Sequence, residues 1–136
     1  MRIGVTGTRE GATEYQLIEL LNLLTHLNGT ELHHGDCKGV DEQAALIAKS
    51  LGYKVVCHPP KSNELRAFSP YDECREPLTY LARDRKIVDE TDVLIVVPLH
   101  MEWQPKGGTW YTHDYAVKKN KPLTIIYPKD PNENSI

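Results

Sequence analysis

Short apolar segments alternate with amphipathic segments along the whole chain, and this order constrains the fold more than any other feature of the sequence. Five segments predict strands, at residues 2–6, 31–34, 53–58, 92–98 and 122–127. Four segments between them carry helical spacing, at residues 14–27, 40–51, 78–90 and 107–120. Strand–helix–strand order favours right-handed crossovers and a sheet covered by helices on both faces. We therefore predict a single α/β domain with a doubly wound, mostly parallel, five-stranded sheet.

The composition fits one ordinary globular domain. The chain has 136 residues, of which 40% are hydrophobic and 26% are charged, and its formal net charge is -3. We predict a domain over residues 1–128 and a flexible polar tail over 129–136. The acidic balance argues against a nucleic-acid partner, because such proteins concentrate basic side chains on one surface.

The cysteines and the hydropathy give an expected location. Cys37, Cys57 and Cys74 are widely spaced and odd in number, so they predict no disulfide framework and favour a reducing compartment. No apolar run approaches the ~20 residues that a membrane-spanning helix needs. We expect a cytoplasmic protein without a membrane partner.

Three glycine-containing turns each follow a predicted strand and precede a predicted helix. Their sequences are TGTRE at 6–10, GDCKGVD at 35–41 and KGGTW at 106–110. Ligands of doubly wound sheets bind beyond the carboxyl ends of the strands, where glycine allows close approach and helix amino ends attract anions. Each turn alone also fits an ordinary tight turn or helix start. Their shared position at one sheet edge predicts a phosphate site, although neither the dinucleotide fingerprint nor the P-loop pattern occurs.

Three blocks of the sequence resemble the SLOG superfamily, a Rossmann-like group that includes the Lonely Guy proteins, DprA and the small YspA-like proteins. The blocks are GVTGTRE at 4–10, HGDCKGVDEQAALIAKSLG at 34–52, and RKIVDETDVLIVVP at 85–98 followed by GGTWYTHDYA at 107–116. They follow one another in the family's order, whereas residues 59–77 show no match. The resemblance implies a Rossmann-like sheet and a nucleotide-derived ligand, such as a nucleoside monophosphate or an ADP-ribose-like molecule.

The resemblance also implies which residues surround that ligand. Thr8, Thr109 and backbone amides would hold phosphate, and Arg9 and Lys38 would add charge-assisted contacts. Asp41 would accept a hydrogen bond from a ribose hydroxyl or cap its own helix, and both roles remain open. The implied set is Gly7, Thr8, Arg9, Gly35, Asp36, Lys38, Gly39, Asp41, Gly107, Gly108 and Thr109.

Whether the chain is an enzyme remains open at this level. The Lonely Guy enzymes hydrolyse the bond between base and ribose phosphate with an arginine in an RK step and a glutamate just after the glycine turn. Arg85 matches the arginine, but residues 110–113 contain no glutamate. Asp114 is the candidate replacement, because this reaction needs a carboxylate beside the cationic sugar. The tentative catalytic pair is Arg85 and Asp114.

Three functions therefore remain, in decreasing order of preference. The first is binding of a phosphorylated, nucleotide-derived small molecule at the carboxyl edge of the sheet. The alternative is a nucleotide N-glycosidase, that is, a nucleoside 5′-monophosphate phosphoribohydrolase. Binding of single-stranded DNA comes third, because the net charge is -3 and no basic, aromatic stripe is present.

Other features give smaller expectations. Trp103 and Trp110 are candidates for stacking on a base, and residues 59–77 form either a lid over the ligand or a surface excursion. His33 and His34 would point to opposite faces of a strand, and no further pair completes a ligand set, so no metal site is predicted. No cofactor is predicted. A homodimer is plausible because relatives pair through helices, but no residue decides it.

Overall fold

Six parallel strands form one sheet in the computed structural model, which describes residues 1–132 of the chain. The strands are β1 (Arg2–Gly7), β2 (Glu31–His34), β3 (Lys54–Cys57), β4 (Glu73–Cys74), β5 (Val93–Val97) and β6 (Leu123–Ile125). The helices are α1 (Glu14–Leu27), α2 (Val40–Ser50), α3 (Tyr80–Glu90) and α4 (Gly108–Lys118). The order across the sheet is β4-β3-β2-β1-β5-β6. Residues 133–136, which belong to the predicted tail, lie outside the described part.

The predicted α/β class and parallel sheet are confirmed, but the predicted number of strands is wrong. The sheet has six strands, and the additional one is β4, which pairs with Val56 and Cys57 of β3. β4 lies inside residues 59–77, where the sequence predicts a loop. A strand of two residues shows no alternating pattern, because alternation needs four or more positions to become visible.

Helices pack on both faces of the sheet, and each face has its own apolar core. On one face α1 and α2 cover the sheet. The buried side chains there include Ile3, Val5, Leu20, Leu24, Leu32, Val40, Ala44, Ala48, Val55, Ile95 and Val97. On the other face α3 and α4 bury a smaller cluster that consists of Ile87, Val88, Leu94, Val96 and Ala116. Since every central strand is covered twice, β5 reads as an almost continuous apolar run.

The strand order reverses between β1 and β5. From β1 the chain proceeds outward through β2, β3 and β4, then returns to place β5 on the other side of β1. Gly7 at the end of β1 is paired with Val97 at the end of β5. In doubly wound sheets a crevice opens beyond the carboxyl ends of two such strands.

Helix α1 is fixed at its start by side-chain hydrogen bonds. Thr13 and Gln16 form a capping box, in which Thr13 Oγ1 accepts from the Gln16 amide and Gln16 Oε1 accepts from the Thr13 amide. The Gln16 side-chain nitrogen also donates to the carbonyls of Pro98 and Ile126. These contacts tie α1 to the chain just beyond β5 and β6. Among residues 1–132, no helix combines the length and the apolar character needed to cross a membrane.

Candidate functional site

A cavity of about 760 Å³ opens beyond the ends of β1 and β5. The turn after β1, at Thr8 and Arg9, forms one wall, and the turn that begins α4 forms another. Helix α3 supplies a third wall and the floor, through Tyr80, Leu81, Arg83 and Asp84. The other lining residues are Thr6, Gly7, Cys37, Asp41, Leu65, Leu99, His100, Gln104, Pro105, Lys106, Gly107, Gly108, Thr109, Trp110 and Tyr111. The cavity therefore lies where the strand order reverses.

The turn after β1 is a rigid wall with a charged rim. The Thr8 amide donates to the Val97 carbonyl, and the Thr8 carbonyl accepts from the amides of Gly11 and Val40. Thr8 is 8% exposed, whereas Arg9 is exposed at the cavity mouth. An anion in the cavity would meet the side chain of Arg9 rather than the Thr8 amide, which is already bonded.

The turn before α4 leaves open space. Gly107 has φ of 96°, a conformation that favours glycine, and a Cβ placed there would meet no heavy atom within 4 Å. No side chain caps the start of α4, and its first residues, Gly108 and Thr109, line the cavity, so its first amides lack a side-chain acceptor there. Such an amino end attracts anions.

A buried arginine of α3 connects this helix to the turns that follow β2 and β3. Arg83 is 4% exposed, and its Nε donates to Asp84 Oδ1 at 2.7 Å. Its Nη1 donates to the carbonyls of Gly35 and His58, and its Nη2 lies 3.6 Å from the sulfur of Cys37. A buried charge requires such pairing and hydrogen bonding, so the floor keeps a fixed arrangement of positive and negative groups.

Burial shifts the pKa values of three titratable side chains that line the cavity. It raises the pKa of Asp41 to about 7, although nearby Arg83 and the amides of Cys37 and Gly35 act in the opposite direction. Burial also raises the pKa of Asp84, which Arg83 opposes, and it raises the pKa of the Cys37 thiol to about 11. The thiol is therefore protonated at neutral pH and is a poor nucleophile. Asp41 can exchange a proton near neutrality, as a general acid or base must.

Several solved structures share this fold. The molybdenum cofactor binding protein from Rippkaea orientalis is 27% identical, with a TM-score of 0.72, over 94% of this chain and 77% of that one. The molybdenum cofactor carrier protein MCP from Chlamydomonas reinhardtii is 26% identical, with a TM-score of 0.64, over 91% and 74%. The single-stranded-DNA-binding DNA processing protein A from Helicobacter pylori is 25% identical, with a TM-score of 0.68, over 98% and 67%.

The chain has the SLOG-type, Rossmann-like fold of these structures. The resemblance seen in the glycine turns of the sequence is thereby confirmed. No family model matches this chain, and no curated protein sequence matches it. The relationship is visible in the backbone and in short motifs, rather than along the sequence as a whole.

In this SLOG-type protein, part of the predicted ligand set lines the cavity and part does not. The predicted residues that line it are Gly7, Thr8, Arg9, Asp41, Gly107, Gly108, Thr109 and Trp110. Those outside its lining are Gly35, Asp36, Lys38, Gly39, Arg85, Trp103 and Asp114. Trp110 is only 6% exposed, and its ring meets that of His113 edge-on.

Two polar residues of the 35–41 turn, Asp36 and Lys38, do not line the cavity. Asp36 is fully buried, and its carboxylate accepts from Arg66 Nε and from the Ser69 amide, both at 3.0 Å. Lys38 is exposed, and its amide donates to the Leu65 carbonyl. These contacts hold residues 59–77 against the turn, so Asp36 has a structural partner in place of a ligand.

The glycines of this turn allow close packing. A Cβ on Gly35 would lie 2.5 Å from Arg83 Nη1, and a Cβ on Gly39 would lie 2.5 Å from the carbonyl oxygen of Thr8. Asp41 Oδ2 accepts from the amides of Gly35 and Cys37. The amino end of α2 is thus occupied by the protein's own atoms.

The tentative catalytic pair, Arg85 and Asp114, does not itself line the cavity. Arg85 Nη1 donates to the Tyr111 hydroxyl at 2.8 Å. Asp114 is exposed and accepts from Trp103 Nε1 at 3.1 Å, and it also contacts His113. The structure therefore directs neither side chain to the cavity lining, and it pairs Trp103 with Asp114 on the surface.

Sequence reasoning missed Arg83 and Asp84, the charged residues of the floor. A signal for them exists in α3, where Tyr80, Arg83, Asp84 and Ile87 follow the spacing of a buried helical face. Charged side chains on such a face are rarely buried unless they are paired. Their position among apolar residues would have marked them as candidates.

Proposed function

We propose that this SLOG-type protein binds a phosphorylated, nucleotide-like small molecule in the cavity at the carboxyl edge of its sheet. The observation that carries the proposal is the combination of groups that line one cavity. The uncapped start of α4 and the exposed Arg9 line it. The buried residues Arg83, Asp84 and Asp41 line it as well, and Asp84 lies beside the start of α4, since a Cβ on Gly108 would be 3.2 Å from Asp84 Oδ2.

These groups suit the two parts of such a ligand. A phosphate is stabilised by helix amides and by a guanidinium group. A heterocyclic base offers N–H donors and ring acceptors, which carboxyl groups and Arg83 can match. The volume of about 760 Å³ lies within the range of about 300–1,000 Å³ that is usual for small-molecule sites.

The similar structures support a small-molecule ligand and add the molybdenum cofactor to the candidates. Two of them are proteins that bind or carry the molybdenum cofactor. The test must therefore include that cofactor beside nucleotides. The proposal predicts binding of at least one phosphate-bearing member of this set.

The first experiment is calorimetric titration of the purified protein with AMP, GMP, ADP-ribose, molybdenum cofactor and inorganic phosphate. A ligand that binds the folded state also raises the unfolding temperature, which gives a second readout. We expect Arg9→Ala to weaken binding about tenfold or more, because a charge-assisted hydrogen bond contributes about 1.5–3 kcal/mol. Gly108→Val should abolish binding, since its side chain would fill the space between the start of α4 and Asp84 Oδ2, which would lie 3.2 Å from the added Cβ.

Lys38→Ala is the matched control for Arg9→Ala. It removes the same charge from an exposed position outside the cavity lining, so the affinity should stay within about twofold of the original value. The proposal fails if no phosphate-bearing compound binds, or if Lys38→Ala weakens binding as strongly as Arg9→Ala.

A nucleotide N-glycosidase is the second candidate, and Asp84 is the observation that favours it. Asp84 hydrogen bonds with Thr112, one of the positions where the Lonely Guy pattern would place its glutamate. In hydrolysis, water would add to the sugar C1′ while the base leaves with a proton, and a carboxylate would stabilise the cationic sugar. Chromatographic detection of free base, lost in Asp84→Asn while binding persists, would support the enzyme. Binding without release of base would support a carrier or receptor.

Single-stranded DNA is the third ligand to test, because one similar structure is a DNA-binding protein. The net charge of -3 opposes it, since DNA binding depends on neutralising many phosphates. We expect an oligothymidylate to bind much more weakly than the best small molecule.

A further inference from the structure

Two buried histidines meet on the α3 face of the sheet, outside the cavity lining. His33 lies on β2, and His58 follows β3, with His33 Nδ1 at 2.8 Å from His58 Nε2. Glu90 at the end of α3 completes a group in which one ligand atom from each residue lies within 4.8 Å of the others. We propose that His33, His58 and Glu90 bind a divalent transition-metal ion, with Zn²⁺ as the ion of best fit.

Glu31 orients the first imidazole toward this shared position. Its Oε1 lies 2.9 Å from His33 Nε2, so the carboxylate accepts a hydrogen bond from the protonated Nε2. The lone pair of the ring is then on Nδ1. That is the atom which faces His58. A carboxylate behind a metal-binding histidine is the usual outer arrangement, because it fixes both the tautomer and the ring orientation.

Both rings are buried. With the Nε2–H of His33 donating to Glu31, the 2.8 Å contact between the rings has His58 Nε2 donating to His33 Nδ1. Binding of an ion requires the other tautomer of His58, in which the proton is on Nδ1, so that both facing nitrogens offer a lone pair.

The two imidazoles need only a small adjustment, whereas the Glu90 oxygen, which lies within 4.8 Å of both nitrogens, must approach them more closely. Two nitrogens at about 2.05 Å from a tetrahedral Zn²⁺ lie about 3.3 Å apart, so the rings must separate by about half an ångström. Two imidazoles, one carboxylate and a water form a donor set typical of zinc. Glu90 is also the partner of Arg75, whose Nε lies 2.9 Å from Glu90 Oε1. Arg75 therefore competes with the ion for the carboxylate.

The experiment uses untagged, chelator-treated full-length protein titrated with ZnCl₂ in a calorimeter. Titration with CoCl₂ followed by visible absorption reports the coordination geometry. We expect one ion per chain for the original protein and at least tenfold weaker binding for His58→Gln and Glu90→Gln. Arg75→Gln should strengthen binding several-fold, because it removes a positive charge and frees Glu90.

A control variant separates this site from other metal-binding groups. His26→Gln removes an exposed imidazole on α1, so it should bind zinc like the original protein. The Glu90 side chain is only partly buried, so its variant tests the site even if His58→Gln fails to fold. The proposal is overturned if the original protein binds no stoichiometric zinc, if Glu90→Gln binds it unchanged, or if His26→Gln abolishes binding.

Discussion

The glycines at 35–39 and those at 107–108 lie in turns at the same edge of the sheet, but they have different surroundings. A Cβ on Gly39 would lie 2.5 Å from the Thr8 carbonyl oxygen, whereas a Cβ on Gly107 would meet no heavy atom within 4 Å. In the first turn glycine lets two backbone segments touch. In the second it provides a backbone conformation next to open space. A glycine turn before a helix thus marks either a packing contact or a ligand surface.

Side-chain capping does not distinguish the two helix starts, because neither α2 nor α4 has a side-chain cap. The turn before α2 is nevertheless occupied by the protein itself. The Val40 amide donates to the Thr8 carbonyl, and Asp41 Oδ2 accepts from the amides of Gly35 and Cys37, at 3.1 and 3.2 Å. An anion approaching this turn would compete with a buried carboxyl group, whereas Gly107 and the start of α4 line the open cavity. We therefore expect the second turn, rather than the first, to hold a phosphate.

The largest expected effect comes from adding one methyl group to each turn. Gly39 and Gly107 have φ of 91° and 96°, so alanine adds comparable backbone strain of about 1–3 kcal/mol at both positions. Gly39→Ala also forces an overlap with backbone, which costs about 1–3 kcal/mol more. Urea unfolding should therefore show a clearly greater loss of stability for Gly39→Ala. Equal losses in the two variants would contradict the packed description of the first turn.

The second prediction concerns the carboxyl group that closes the α2 turn. The pKa of Asp41 is about 7 in the folded protein and 3.8 ordinarily, so between these values the folded state binds more protons than the unfolded state. The contribution of Asp41 to stability therefore falls as the pH rises from about 4 to about 7, by about 1.4 kcal/mol for each unit of pKa shift. The difference in unfolding free energy between the original protein and Asp41→Asn should show this fall.

Asp92 provides the control for that measurement. Its pKa is lowered by a hydrogen bond from the Arg2 amide, so its contribution is constant above its ordinary pKa and is lost only in more acidic solution. Asp92→Asn should thus show no decline between pH 5 and pH 7. A flat profile for Asp41→Asn as well would mean that Asp41 is ionised in the folded protein throughout this range.

Local patterns were sufficient to predict most of the fold. Helix α1 spans Glu14–Leu27, as its leucine spacing predicts, and β5 was visible as an apolar run. The strand β4 was missed because its two residues pair through backbone hydrogen bonds that impose no side-chain pattern. Elements were predictable where burial recurs with a regular period along the chain.

The site was predictable only where the backbone itself forms it. The turns at 7–9 and 107–109 reach the cavity because strand ends and helix starts are placed by the fold. Whether the 35–39 turn stays open depends on Arg83 and Arg66, which are distant in sequence and fill the space near it. Such contacts are made between residues about 30 to 48 positions apart, so no local window contains them.

Residues 59–77 add to the difference between the two glycine turns, because this segment covers the turn at 35–41 and not the one at 107–108. Arg66 Nε lies 3.0 Å from Asp36 Oδ2, the Ala67 amide donates to the Asp36 carbonyl, and the Lys38 amide donates to Leu65. We expect a segment with these bonds to be a fixed cover for the 35–41 turn. A lid would instead close only when a ligand arrives.

Arg66→Lys tests this description with the smallest expected effect. Lysine keeps the positive charge near Asp36 but loses the directed Nε–H, which should weaken local stability by about 1 kcal/mol. Hydrogen exchange at the amides of residues 65–69 should then be about fivefold faster, while amides of β5 exchange as before. A lid would already exchange rapidly in the original protein and would not respond to the substitution. If the amides of residues 65–69 are protected in the original protein and exchange faster in Arg66→Lys, the 35–41 turn is closed by the protein itself. It is then not held open for a ligand.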